Sequence, residues 1–168
     1  IDRFAELTAL RYRNWIEKDP SPIFHTHDDL AITKGLVFSL DWYRKNFWPQ
    51  YERLFGMLKA AGKKIIFVSD GNYTDILDDL AALGVDGFIV DHTMDLKAIV
   101  KKYGQTKVLA GNINVDILTR GTPEDVVREV KRCAVIGRDA PGFFFRCIGD
   151  LPHNILLENI KVYFQAQV

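Results

Sequence analysis

Cysteine is scarce, with only Cys133 and Cys147 in 168 residues. Neither belongs to a closely spaced pair, so the chain offers no disulfide framework and no thiolate finger. The expected setting is therefore a reducing one, the cytoplasm. An excess of one charge is missing too. Lys plus Arg and Asp plus Glu both number 22, which removes the basic footprint of a nucleic-acid or anionic-membrane binder. No apolar run approaches the ~20 residues of a membrane span, and no charged-then-apolar leader opens the chain. Nor does any strand pattern lead into Gly-x-Gly-x-x-Gly or a phosphate loop. What remains is 48% hydrophobic, enough for one buried core and short for two, so residues 1–168 are read as a single domain.

The pattern that is present centres on Lys63-Lys64-Ile65-Ile66-Phe67-Val68-Ser69-Asp70-Gly71-Asn72. An apolar run stops at polar residues, with a helical stretch on either side, which predicts a buried parallel strand of an α/β fold. The same unit recurs. A helix over Asp2 to Lys18 leads to a strand at Ile23 that turns polar by Asp28 and Asp29. Ser39 caps a helix running to Ala61, with a kink or split near Phe47 because Pro49 lies inside it. A helix from Asp75 to Leu83 precedes the strand Gly87 to Val90. A second, Leu96 to Tyr103 with Asp95 as its cap, precedes the strand Lys107 to Ala110. Thr122-Pro123-Glu124-Asp125 opens a helix with a cap, an early proline and acids on the dipole. Gly142 to Cys147 is the last strand and Glu158 to Gln165 the closing helix. Five βα units in a row fit either an open, doubly wound sheet or part of a (β/α)8 barrel, which needs eight, and the missing phosphate loop weighs against a nucleotide-binding version of the first. Five strands leave open sheet edges, so the chain is expected to be unstable alone or to associate, including as a homo-oligomer.

Ligands of such folds sit at the carboxyl ends of the strands, and the polar residues collect there. By period-two alternation His25, His27 and Asp29 share one face of their strand. An imidazole and carboxylate in that arrangement suit proton transfer or metal ligation. His27, Asp29 and Asp70 are the expected catalytic residues, and Glu6 with His25 and His27 is an alternative metal set. Substrate contacts are expected from His25, Asn72, Asp91, Asn112, Asn114, Arg146 and His153, although Asn72 equally suits the cap of the next helix.

Several short motifs stand in order along nearly the whole chain: Asp28-Asp29-Leu30-Ala31, Pro49-Gln50-Tyr51, Ser69-Asp70-Gly71-Asn72, Leu83-Gly84-Val85-Asp86-Gly87, Gly121-Thr122-Pro123-Glu124-Asp125-Val126 and Leu157-Glu158-Asn159-Ile160. Together they resemble the uroporphyrinogen decarboxylase superfamily. The resemblance implies a (β/α)8 TIM barrel, N-terminally incomplete in this chain, which would hold its last five units. It also implies either decarboxylation of a tetrapyrrole, as in porphyrin metabolism, or methyl transfer involving a corrinoid protein or coenzyme M. The expected activity is methyl transfer from a small-molecule donor to a corrinoid carried by a partner protein. A module that binds without catalysis is the third alternative. The zinc methyltransferases of that superfamily use thiolate and imidazole ligands at positions that fall here on Val68, Asp70 and Gly149. The resemblance therefore argues against zinc at that place.

Overall fold

The computed structural model describes residues 1–167. Helix α1 is Asp2–Lys18, and strand β1, Ile23–His27, follows after Pro20 and Pro22. A small hairpin of β2, Ala31–Ile32, and β3, Gly35–Leu36, comes next. The expected long helix is divided into α2, Leu40–Asn46, and α3, Trp48–Ala60, with Pro49 in the first turn of α3. Proline is tolerated there because first-turn N–H groups have no intrahelical partner. Strand β4 is Lys64–Val68. A single 3-10 turn at Thr74–Ile76 leads into α4, Leu77–Ala82. Strand β5, Gly87–Val90, helix α5, Leu96–Tyr103, and strand β6, Val108–Gly111, then alternate. Two helices follow, the short α6, Val115–Arg120, and α7, Pro123–Gly137. Strand β7, Phe143–Phe144, and helix α8, Leu157–Gln165, complete the order.

The main sheet has five strands, all parallel, in the order β1-β4-β5-β6-β7. With helices between successive strands it forms an arc of a (β/α)8 barrel. Several boundaries differ from the sequence expectation, among them the helix expected from Asp75 to Leu83, which is a 3-10 turn followed by the shorter α4. The last strand shrinks to two residues, with one further bridge between Ile113 and Cys147. The strand placed at Lys107 to Ala110 is shifted by one, and the supposed loop through Gly35 contains the hairpin.

Register fixes the faces, because paired residues of a parallel sheet point the same way. Thr26, Phe67, Phe88, Leu109 and Phe143 form one such row. It faces the helices, where Phe67, Phe88 and Leu109 are fully buried. Each such side chain contributes about 1.5–3 kcal/mol by leaving water. On the same side Tyr12 and Trp15 of α1 pack edge-on against Phe24, which seats α1 behind the sheet. The opposite row is His27, Val68, Ile89, Ala110 and Phe144. It lines the concave face. Two residues further along each strand path stand Asp29, Asp70, Asp91, Asn112 and Arg146. No helix among the described residues is long and apolar enough to cross a membrane.

Candidate functional site at the carboxyl ends of the strands

Three of those polar positions converge. His27 at the end of β1 places Nε2 3.1 Å from Asp29 Oδ1 and 3.9 Å from Asp70 Oδ1. One ligand atom from each residue lies within 4.8 Å of the others. The backbone builds this cluster. Asp70 donates its N–H to Asp29 Oδ1 at 3.3 Å, tying the loop after β4 to the loop after β1. Ser69, fully buried, accepts the Leu30 N–H and donates to the Asp70 carbonyl, each at 3.0 Å. Gly71 follows with φ +77°, and a Cβ on it would stand 2.5 Å from the Ile32 backbone of the hairpin. Only glycine allows that conformation together with that approach. Partial burial raises the Asp70 pKa, the nearby Asp29 charge raises it further, and His27 opposes both.

The cluster offers one imidazole nitrogen and two carboxylate oxygens, a donor set that fits a borderline or hard divalent ion. The thiolate positions implied by the sequence resemblance do not fit zinc. Val68 is apolar and buried, and Gly149 has no side chain. The alternative set of Glu6, His25 and His27 does not assemble either. His25 and His27 point to the concave face, whereas Glu6 belongs to α1 on the helix side.

Several expected substrate contacts turn inward. Asp91 is buried; its carboxylate accepts the Gly71 N–H at 3.0 Å and both the N–H and hydroxyl of Thr93 at 2.7 Å. It holds the Asp70-Gly71 turn. Asn112 is also buried, its amide donating to the Asp91 and Met94 carbonyls while its Oδ1 accepts from Arg132 of α7 at 2.9 Å. Asn114 caps α6 through Asp116 N–H, and its own N–H donates to Glu129 at 2.8 Å. Asn72 receives the Thr74 N–H and hydroxyl and so starts the next turn. These amides and this carboxylate fix loops, and both ends of the Asn112 amide are taken up by protein partners. His25, His27, Asp29, Asp70, Arg146 and His153 remain exposed. The pKa of His25 is lowered by partial burial first, then by Arg146 and His27.

Sequence reasoning named Asp28 only as part of the cluster. The structure turns it to the helix side, where Tyr51 donates to it at 2.6 Å and burial raises its pKa. It did not single out Arg132 or Glu129. Both are second-layer residues whose only sequence signal is their i,i+3 spacing on α7. A cavity of about 750 Å³ lies beside β1 between α1 and α3. It reaches His25 and His27 but is lined mainly by helix-side groups such as Tyr12, Trp15 and Tyr51.

The family model described as "Uroporphyrinogen decarboxylase (URO-D)" matches residues 23–167. A uroporphyrinogen decarboxylase of Rhodococcus erythropolis is 34% identical over 101 residues, covering 60% of this chain and 28% of that protein. The methylcobamide:CoM methyltransferase MtbA of Methanosarcina acetivorans is 29% identical over 98 residues, 58% of this chain and 29% of that protein. Among solved structures, a methyltransferase from Methanosarcina mazei superposes with a TM-score of 0.74 at 21% identity. That match covers 97% of this chain and 46% of the other, so the chain spans less than half the length of the proteins it resembles. The shared architecture is the TIM barrel of that methyltransferase, to which this chain contributes five parallel strands.

Proposed function

This chain belongs to the uroporphyrinogen decarboxylase family, and from that membership we propose that it serves methyl transfer from a small donor to a corrinoid carried by a partner protein. The observation that carries the reading is the exposed His27–Asp29–Asp70 cluster on the concave side of the strand ends. Its sequence relative MtbA and its structural neighbour from Methanosarcina mazei, both methyltransferases by name, support it. The docked corrinoid supplies the nucleophile. This chain's part is to hold the donor with its methyl carbon outward and to steady the charge that changes on the atom losing the methyl group. Asp70 and Asp29 act on that charge electrostatically, and His27 carries or accepts a proton at Nε2 where the donor needs one. A divalent ion on the three ligands would polarise the same donor atom.

The test is methyl transfer to a reduced corrinoid protein from a panel of methoxy, methylamine and methylthiol donors, followed by absorbance of the corrinoid. With an accepted donor, Asp70→Asn is expected to lower kcat/KM by roughly a hundredfold, the scale of one lost electrostatic contact in an active site. Full turnover in that variant sinks the assignment. The 34% identity to a uroporphyrinogen decarboxylase motivates a second reading, decarboxylation of a polycarboxylated tetrapyrrole. Such a substrate calls for several cations around its acids, and Arg146 is the one cation among the five strand-end positions. Release of carbon dioxide from uroporphyrinogen would favour it. Binding of a corrinoid protein with no transfer from any donor would favour a module without catalysis.

A further inference from the structure

The cavity of about 750 Å³ beside β1 has the size of a small-molecule pocket. Its walls are aromatic, with Tyr12 and Trp15 from α1, Phe24 from β1, and Phe47 and Tyr51 at the start of α3. These rings hold one another. Tyr12 and Trp15 meet Phe24 edge-on with centroids 4.7 and 4.6 Å apart, and Phe47 lies 5.1 Å from Tyr51. Tyr12, Phe24 and Tyr51 are buried, so the walls are in place before a ligand arrives.

One carboxylate stands among the rings. Asp28 lines the same cavity, and Tyr51 orients it by donating to Oδ2 at 2.6 Å. Among the described residues Oδ1 has no hydrogen-bond partner, and no Lys, Arg or His lies within ion-pair distance of the carboxylate. Other partly buried carboxylates of this protein do have a cation, Arg44 for Asp79 and Lys59 for Asp86. Arg11 also lines the cavity, but it is exposed and forms no ion pair with Asp28. Partial burial of a carboxylate without a counter-charge is costly, and aromatic faces attract the cation that would relieve it.

We propose that this cavity binds an organic amine with an apolar body, its ammonium donating to Asp28 Oδ1 and its hydrocarbon part lying between α1 and α3. The inference does not rest on methyl transfer. Asp28 points to the helix side of β1, whereas His27, Asp29 and Asp70 cluster on the concave side.

Isothermal titration of the full chain with 4-phenylbutylamine, 4-phenylbutanol and 4-phenylbutyrate tests it, since the three share one body and differ in the charge of the head. The amine is expected to bind about tenfold more tightly than the alcohol, the scale of one charge-assisted hydrogen bond, and the carboxylate least. Butylamine, without the aryl body, should bind more weakly than 4-phenylbutylamine. Asp28→Asn should bring the amine to the level of the alcohol, and Asp28→Glu should restore part of the difference. Asp70→Asn should change nothing. If Asp28→Asn does not fold, Thr8→Phe decides instead. Thr8 lines the cavity from α1, so the larger ring fills it, leaves Asp28 in place and should abolish binding of amine and alcohol alike. Equal affinity for amine and alcohol in the unaltered protein overturns the inference, as does unchanged amine binding in Asp28→Asn or Thr8→Phe. Loss of amine binding in Asp70→Asn moves the ligand to the strand ends and overturns it too. So does amine binding that vanishes as the chain associates at high concentration, which gives the cavity to a second copy.

Discussion

Gly71 concentrates two constraints in one residue, a positive φ and backbone contact with Ile32. Alanine there meets both the left-handed penalty of about 1–2 kcal/mol and a clash that moves the hairpin or the Asp70 loop. Gly71→Ala is expected to lower the melting temperature by several degrees and to weaken ligand binding at Asp70, measured by scanning calorimetry and titration. Asp79 tests a different residue-level effect. Arg44 grips its carboxylate with two bonds of 2.8 and 3.0 Å, and Trp48 adds an indole N–H at 2.8 Å. The Arg44 bond lowers the pKa of Asp79, burial opposes it, and Trp48 lowers it again. A carboxyl whose folded pKa is depressed contributes stability that is complete above its unfolded value of about 4 and is lost as pH falls through the folded value. Unfolding monitored from pH 6 downward should show wild type losing its advantage over Asp79→Asn below about pH 4. An advantage that persists undiminished at pH 2 would contradict the geometry.

Elements show why some of this was legible in the sequence and some was not. Ser39, Asp95 and Thr122 each accept the expected helix-end N–H, and Thr122 with Asp125 closes a capping box. Such caps depend on residues three apart, so they can be read locally. Thr122→Ala is expected to cost about 1 kcal/mol in a denaturant titration. The alternation that put His27 and Asp29 on one face holds for the same reason, since a five-residue strand has a period to read. The hairpin of β2 and β3 has two residues on each side, too few to show a period. Its place is set by long-range bonds, Asn72 N–H to the Ile32 carbonyl and Leu30 N–H to Ser69. Asn112 and Asp91 were expected at a ligand for their position alone, but their partners lie elsewhere in the fold: Arg132 of α7 for Asn112 and Gly71 for Asp91. Ser69→Ala removes the hydroxyl joining both loops and strands the buried Leu30 N–H. A loss of about 1–3 kcal/mol is expected. Faster hydrogen exchange at Leu30, with exchange in α7 unchanged, would place that loss at the joint.

At the scale of the molecule the sheet formed by the described residues has two free edges, because β1 and β7 each have one neighbour among them. A parallel barrel strand normally hydrogen-bonds on both sides, and an open edge invites pairing with another chain. The helices flanking these edges carry apolar side chains into solvent. On α1 Phe4 is 77% exposed and Leu7 and Leu10 are each 52% exposed; on α8 Leu157 is 66% and Phe164 56% exposed. Exposed apolar patches of this kind are interaction surfaces or aggregation liabilities. The net charge of zero gives no long-range repulsion to keep copies apart. The 168-residue chain is therefore expected to associate as concentration rises, seen as a growing mass in light scattering near neutral pH. Phe4→Glu with Leu10→Glu should reduce that mass while leaving the far-ultraviolet circular dichroism intact, because both positions lie outside the buried face formed by Ala5, Ala9 and Tyr12. A wild-type chain that stays monomeric and unfolds in one cooperative step would show that the arc satisfies its edges by itself. The convergence of strand ends on one concavity would then belong to a self-sufficient unit.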